Sequence, residues 1–591
     1  MSNNGLRIKI RALLSIALVF FFFHDNLFSS SFPVQVSGKL DQKTAEFIES
    51  IPPDSLSPYW IFFKDKGLLK QENIEKALKE NIYRFPERTL RRRELRGSGT
   101  VADFFDLPVY QIYIDSLKMA GVKIRAVSRW LNAVSISASK KDLDKISEFG
   151  FVQKIKKVVT FHKALPEINK EITPGYEKRF GELLDYGPSY AQLLQIHIPE
   201  LHNLGFNGKG IRIGMLDTGY YLHHQALKHL ADSSRIIATY DFINSDEDVE
   251  DLSVADQQRS HGTYTLSALA GYMPGTLIGP AYNSEFVLAK TEIEAQEIKV
   301  EEDFWVAGIE WAESLSADIV SSSLGYNDWY TWDSLDGNTA LCTIAADIAV
   351  SRGVVVVNSA GNERSVGNNW HYIIAPADGD SVIAVGAVDL EGNISSFSSA
   401  GFQSDFQNGK IKPDVCACGV GTYCANMYGG YSYVNGTSLS APLVAGACAL
   451  ILQADTSLSP IGLRERLWST AYGVTSPDTL YGYGIVNAVK AAGFDTTSIQ
   501  TQDRVLAFPN PFGEHLCIYV KTPQSSKVKF SIFNVAGEKI LESSPTLYDS
   551  EKFIFFWEGR NKKNEEIVPG VYLVKIDINN DSEIIKLFKN R

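Results

Sequence analysis

Ile211-Arg212-Ile213-Gly214-Met215-Leu216-Asp217-Thr218-Gly219 is an apolar run that ends on a carboxylate and then a glycine-containing turn. A short run that is apolar at successive positions reads as a strand buried on both faces, which is the habit of a parallel sheet. Two more motifs complete it. His261-Gly262-Thr263 opens a helical pattern through Leu266, Leu269 and Ala270, and Gly436-Thr437-Ser438 opens another through Leu443, Val444, Ala445, Cys448 and Leu452. An acid, a base and a hydroxyl are the parts needed to cut an acyl bond. A hydroxyl at a helix N-terminus also gains from unpaired backbone N–H groups and the positive dipole end, which favour developing negative charge. Singly, each motif has a plainer meaning: Gly after Asp is ordinary turn chemistry, a lone histidine is usually structural, and Ser is a preferred N-cap. The set in this order is what argues for chemistry.

The order Asp217…His261…Ser438 resembles that of the subtilisin-like serine proteases (subtilases), and the resemblance covers residues near 186 to 495. Further landmarks are Asn358-Ser359-Ala360-Gly361-Asn362-Glu363 after the strand-like Val354 to Val357, Ser323-Leu324-Gly325, Lys412-Pro413-Asp414-Val415, and Tyr481 to Ala488. The fold implied is α/β, a mostly parallel sheet flanked by helices. The roles implied are Ser438 as nucleophile, His261 as general base and then acid, Asp217 as its orienting carboxylate, and Asn362 as side-chain donor to the oxyanion. Ser323, Leu324 and Gly325 would form one wall of the S1 pocket and Ser359, Ala360 and Gly361 the other. The activity implied is hydrolysis of protein or peptide substrates through an acyl-enzyme, by a zymogen that processes itself. A peptide ligase or cyclase of the same fold, or an inactive surface-binding protein, are the alternatives. Pepsin-like aspartic proteases also carry Asp-Thr-Gly but need two facing carboxylates; this chain has one such motif, and that reading leaves the other two motifs unexplained.

Some positions depart from the family pattern. Tyr264 follows His-Gly-Thr where another His is common, and Leu439 and Ser440 stand for the usual Met and Ala; these read as packing positions. Tyr326-Asn327-Asp328-Trp329-Tyr330-Thr331-Trp332-Asp333 either builds substrate subsites or packs back on its own domain. The chemistry requires no cofactor or metal. Calcium is common in the family, and Asp241, Asp246, Glu247, Asp248, Glu250, Asp251 and Asp256 cluster before His261, but their spacing fits no EF-hand loop, so no metal residues are assigned. Cys416, Cys418 and Cys424 crowd one loop near the active-site end, where one could close a small ring with another and leave the third free, whereas Cys342 and Cys448 fall within helical apolar patterns and read as small buried hydrophobes.

Outside the central region the chain divides as follows. Residues 1–31 read as a signal peptide: Arg7, Lys9 and Arg11 precede an uncharged run from Ala12 to Phe23, with Ser29, Ser30 and Ser31 as a cleavage region. That run is short for a membrane span, and no other run reads as long and apolar enough to cross a bilayer. Residues 32–185 alternate strands and helices and resemble a subtilase pro-domain with its linker, an α+β unit acting as intramolecular inhibitor; the alternative is a permanent accessory domain. Within it Arg91-Arg92-Arg93 reads as a solvated charge run, with a nicking site as the alternative. Processing is expected between Lys170 and Gly187. After the 186–495 peptidase region and a 496–506 linker, residues 507–591 read as a small β-sandwich. Its Phe508-Pro509-Asn510-Pro511-Phe512 opening, Gly570-Val571-Tyr572 step and basic end resemble type IX secretion sorting domains, and Trp557 to Tyr572 resembles the Ig-like domain of flagellar hook-capping proteins. The expected partners are therefore substrates, the chain's own pro-domain and a secretion machinery, for a secreted or cell-surface protein. A net charge of −12 over 591 residues argues against nucleic-acid binding.

Overall fold

The run ending at Asp217 is a strand, and the chain builds a seven-stranded sheet around it. In chain order the elements that matter are helix Glu87–Arg96 (α1), strands Arg212–Asp217 (β1) and Ile236–Asp241 (β2), helix Ser260–Ala270 (α2), strand Glu285–Lys290 (β3), helix Glu302–Ser314 (α3), strand Ile319–Ser322 (β4), helix Leu341–Ser351 (α4), strands Val355–Ser359 (β5), Ile383–Val388 (β6) and Val415–Cys418 (β7), and helix Thr437–Ala454 (α5). The spatial order is β7-β6-β5-β4-β1-β3-β2, and every neighbouring pair is parallel. The interior strands β4, β5 and β6 and the edge strand β7 are buried at every residue, while the opposite edge strand β2 is mostly half-exposed. That contrast is why the interior strands read as unbroken apolar runs. Helices α2 and α5 pack on one another, as do α3 and α4, and both pairs flank the sheet.

The computed structural model describes residues 39–590 except 69–70, 83, 159, 162–183, 253–257, 294–299, 328, 366–369, 495–504, 509, 511, 513–515, 524 and 549–551. The expected signal peptide, the processing stretch up to 183, Asp256, Asp328 and most of the 496–506 linker lie outside them.

The described residues fall into two compact units, those up to 85 with 97–158, and 86–96 with those from 160 onward. The first holds an antiparallel sheet of four strands, ordered 123–128, 133–138, 57–63, 152–157. Its core joins Tyr59, Ile61 and Phe63 to Ile114 and Leu117 of one helix and Leu143 and Ile146 of another, the α+β architecture expected. Beyond the peptidase region, two antiparallel sheets share one core of Leu516, Ile518 and Val520 with Val528, Phe530, Ile532, Val574 and Ile576. Strand Asp581–Lys589 has no counterpart in the sequence reading, because its exposed side chains and basic end mask a period-2 pattern of partial burial.

Three expectations need correction. Arg92 and Arg93 are buried, not solvated, and their helix belongs to the second unit although the chain on either side belongs to the first. Cys342, Cys416, Cys418, Cys424 and Cys448 are free, buried thiols; Cys416 and Cys418 lie in β7 and Cys424 in strand Thr422–Ala425, so no small ring forms. Helix α5 is long and apolar enough to cross a membrane by length and composition, but 94% of it is buried inside the protein.

His202 is fully enclosed. Its Nε2 donates to the Pro280 carbonyl at 2.7 Å, and its Nδ1 accepts from the Tyr186 hydroxyl at 2.9 Å, so the neutral ring satisfies both nitrogens. Burial pushes its pKa down to about 4, against the weaker opposing pull of the Pro280 carbonyl. The unfolded chain therefore takes up a proton at this ring near its ordinary pKa of about 6.5, while the folded chain resists it to about 4. The resulting stability is complete above about pH 6.5 and is lost as pH falls towards 4, about 3 kcal/mol in all. His202→Gln should flatten that part of the stability–pH curve, measured by denaturant unfolding across pH 4 to 7 in an inactivated background.

Candidate active site

Asp217 ends β1, and the buried strand leaves its carboxylate enclosed at the C-terminal edge of the sheet. Such a buried group needs donors on both oxygens. Oδ1 accepts from the Thr218 backbone at 2.8 Å and from His261 Nδ1 at 2.6 Å, while Oδ2 accepts from the Thr265 hydroxyl at 2.8 Å. His261 and Thr265 lie one helical turn apart on α2, so a single helix supplies both partners. An ionised carboxylate can only accept, which puts the imidazole proton on Nδ1 and leaves Nε2 as the basic nitrogen. Thr265 played no part in the sequence reading; its i+4 spacing from His261 was the available signal.

Ser438 is the second residue of α5, where a backbone N–H has no partner within the helix. It faces the loop after β4 directly. Ser438 Oγ lies 3.4 Å from the Ser323 carbonyl, and the Ser323 hydroxyl donates to the Ser438 carbonyl at 2.8 Å. The second bond has a cause in sequence. The helical donor for that carbonyl would be residue 442, which is Pro442 and has no N–H. Ser323 thus supplies what the proline withholds and ties the proposed substrate strand to the nucleophile.

Asn362 follows β5, and its Oδ1 accepts from both the backbone N–H and the hydroxyl of Thr437, at 3.0 and 2.9 Å. With the oxygen so committed, Nδ2 is the part of the amide left to donate, and it lies beside Gly436 at the start of α5. Asn358, at the end of β5, donates from Nδ2 to the carbonyls of Leu324 and Ser359, both at 2.9 Å, and so clamps the two expected pocket walls together. Between those walls stands Ile374. A Cβ added at Gly325 would meet its Cδ1 at 2.3 Å, and one added at Gly361 would meet its Cγ1 at 3.2 Å. Gly325 thus packs directly on Ile374, and Gly361, at φ 106°, holds a left-handed conformation that favours glycine; Asn358 stood in the sequence landmark without a role of its own, and Ile374 was not named there.

The departures from the family pattern are packing neighbours: Tyr264 and Leu439 share a buried cluster with Ala268, Cys424 and Val434. The aromatic stretch is divided. Tyr326 and Tyr330 pack inward, with the Tyr330 hydroxyl on Glu302 at 2.8 Å, whereas Trp332 is 54% exposed and edges against Trp370 and Tyr372. In the acidic loop, Lys290 donates to both Asp241 and Asp251, Asp241 also accepts from the Ile243 and Asn244 backbones, and Glu250 accepts from Leu222 and His223. Asp241, Asp251 and Glu250 are thus turned to a lysine, a histidine and backbone N–H groups.

The comparisons agree with this architecture. A profile of the Subtilase family matches residues 208–484, one of the Peptidase S8 propeptide domain, Bacteroidota, matches 58–173, and one of the Secretion system C-terminal sorting domain matches 506–590. The chain is 33% identical over 368 residues to subtilisin J of Geobacillus stearothermophilus, covering 60% of this chain and 86% of that one. It is 32% identical over 366 residues to subtilisin E of Bacillus subtilis (strain 168), with the same coverage, and 34% identical over 289 residues to subtilisin DY of Bacillus licheniformis, covering 49% and 93%.

Ser323→Ala in a Ser438→Ala background should cost about 1–3 kcal/mol, because a buried carbonyl loses its donor. Pro442→Ala restores a helical N–H to that carbonyl, so the two substitutions should be non-additive, with the loss from Ser323→Ala reduced in the double variant; thermal unfolding of the four-member cycle checks this.

Proposed function

We propose, from the premise that this chain belongs to the subtilase family and is a serine-type endopeptidase, that Ser438 is its nucleophile, His261 its general base and Asp217 the carboxylate that orients the imidazole. The observation that carries the reading is the enclosed Asp217–His261 hydrogen bond of 2.6 Å, backed by Thr265, at the C-terminal end of β1, with Ser438 meeting Ser323 just past the C-terminal end of β4. His261 Nε2 takes the Ser438 proton as Oγ attacks the substrate carbonyl, and later delivers it to the leaving amine. Asn362 Nδ2 and the Ser438 backbone N–H hold the oxyanion, acting where charge develops only in the transition state. Water then releases the acyl group. Protein groups and water supply every step of this reading, which calls for no cofactor.

The chain is made as a secreted zymogen. In our reading the signal at 1–31 exports it, the pro-segment blocks its own site until the chain cuts itself, and the sorting tail engages a secretion machinery. Ser323 to Gly325 and Ser359 to Gly361 line the S1 pocket, and Ile374 between them limits its depth, which favours small side chains at the scissile residue.

A fluorophosphonate probe should label the folded, processed protein, and Ser438→Ala should abolish labelling. Absence of labelling in folded protein freed of its pro-segment would defeat the proposal. Asn362→Ala should lower kcat by about 10²–10³ with little change in KM. Ile374→Ala should raise kcat/KM for a large aromatic residue relative to alanine at the scissile position by about tenfold, read on paired peptide substrates.

A further inference from the structure

Helix α1 is built inside out. Its buried positions are Thr89, Arg92, Arg93 and Arg96, spaced i, i+3, i+4 and i+7 on one face, while Leu95 is 48% exposed. The face that an ordinary amphipathic helix fills with leucine is here filled with guanidinium groups.

The surface receiving that face is matched to it. Arg92 donates to the carbonyls of Ala317 at 2.7 Å and Arg352 at 3.2 Å, and also to Glu313. Arg93 puts Nε and Nη2 on the same Glu313 oxygen at 3.0 and 2.9 Å. Arg96 pairs with one oxygen of Asp318, and Arg88 with the other at 2.5 Å and with Glu285 at 3.3 Å. The Thr89 and Ser316 hydroxyls meet at 2.6 Å. Gly353 permits the approach: a Cβ there would sit 3.0 Å from Arg96 Cβ and 3.1 Å from the Arg92 carbonyl. Arg352 caps the C-terminus of α4, and Ala317 follows that of α3, so the surface adds two negative helix ends to its carboxylates. Burial lowers the Arg92 pKa to about 10 against the pull of Glu313, which leaves the group charged at neutral pH.

This surface is far from the catalytic chemistry. Asp318 immediately precedes β4 and Ser323 immediately follows it, so the arginine dock and the proposed substrate wall occupy opposite ends of one strand. Buried arginine pairs at the wrong end of the sheet do nothing for hydrolysis, and they belong to a segment inside the propeptide match at 58–173.

We propose that Glu313, Asp318, Glu285 and the carbonyls of Ala317 and Arg352 form a docking site for an arginine-faced helix, taken in the zymogen by residues 87–96. This second anchorage holds the pro-segment on the peptidase independently of the active site, so the pro-segment stays bound after its connection is cut. The consequence for a processed enzyme rests on the zymogen reading; the dock itself does not.

The test uses the full chain with Ser438→Ala, so that self-cutting plays no part, and a recognition sequence for an unrelated site-specific protease inserted between residues 170 and 180. After nicking, release of the N-terminal fragment is followed by gel filtration and by its dissociation rate on dilution. Arg92→Ala with Arg93→Ala should speed release about a hundredfold or more, because Glu313 loses two buried partners. Glu313→Gln should act in the same direction, and exposed Arg91→Ala should leave the rate unchanged. Equal rates across the series would overturn the proposal. Should the double variant misfold before nicking, a synthetic peptide of residues 85–98 is added to the nicked chain with its arginines intact: acceleration of release supports the dock, and no effect at millimolar peptide overturns it. Fluorophosphonate labelling of the Ser438-containing chain decides the protease reading separately, so either can fail without the other.

Discussion

The constraint on which the peptidase unit depends is the complete burial of α5. Every residue from Thr437 to Gln453 is enclosed, and the helix packs along four of the seven strands, β4 to β7. A helix apolar on all sides must lie in a core or a membrane, and here the sheet and α2 provide the core. Its buried N-terminus brings orphan N–H groups into a low-dielectric site, where Asn362 and Ser323 meet the start of the helix. Pro442 sharpens the effect by taking away an internal donor, so the helix reaches sideways to the loop after β4. The nucleophile and the substrate wall are therefore held by one hydrogen-bonded joint.

Parallel pairing arranges the rest. Because all seven strands run the same way, their C-terminal ends gather Asp217, Ser323 and Asn358 at one edge, and their N-terminal ends gather Asp318 at the other. Chemistry at the first edge is small in extent and needs donors aimed at a developing charge. Binding at the second is broad, made of charge pairs that are costly to leave half-made. Two carboxylates illustrate the difference. Asp217 accepts from a threonine, a histidine and a backbone N–H. Burial works against the charge of Asp318, yet Arg96 and Arg88 prevail and hold its pKa below the usual carboxylate range.

Sequence reading served best where a local pattern and a spatial role coincide. The apolar runs of β1 and β5 and the helical patterns from His261 and Ser438 are all local, and the elements stand where those patterns put them. It failed where the local pattern points the wrong way. Arginines at helical spacing look like a solvated face, since charged groups are rarely buried without partners, and the partners here lie more than 200 residues away. The cysteines of β7 looked like a loop because alternation in so short a strand carries little information.

The chain by itself determined the class of fold, the order of the three motifs and the presence of flanking domains, because each follows from residue type and short-range spacing. Only tertiary structure decided that Thr265 completes the Asp217 site, that Asn358 and Ile374 shape the space between the pocket walls, and that an arginine-faced helix belongs to the peptidase unit. Those roles are set by contacts across long sequence separations, where hydrogen-bond geometry and burial, and not neighbouring residues, fix what a side chain does.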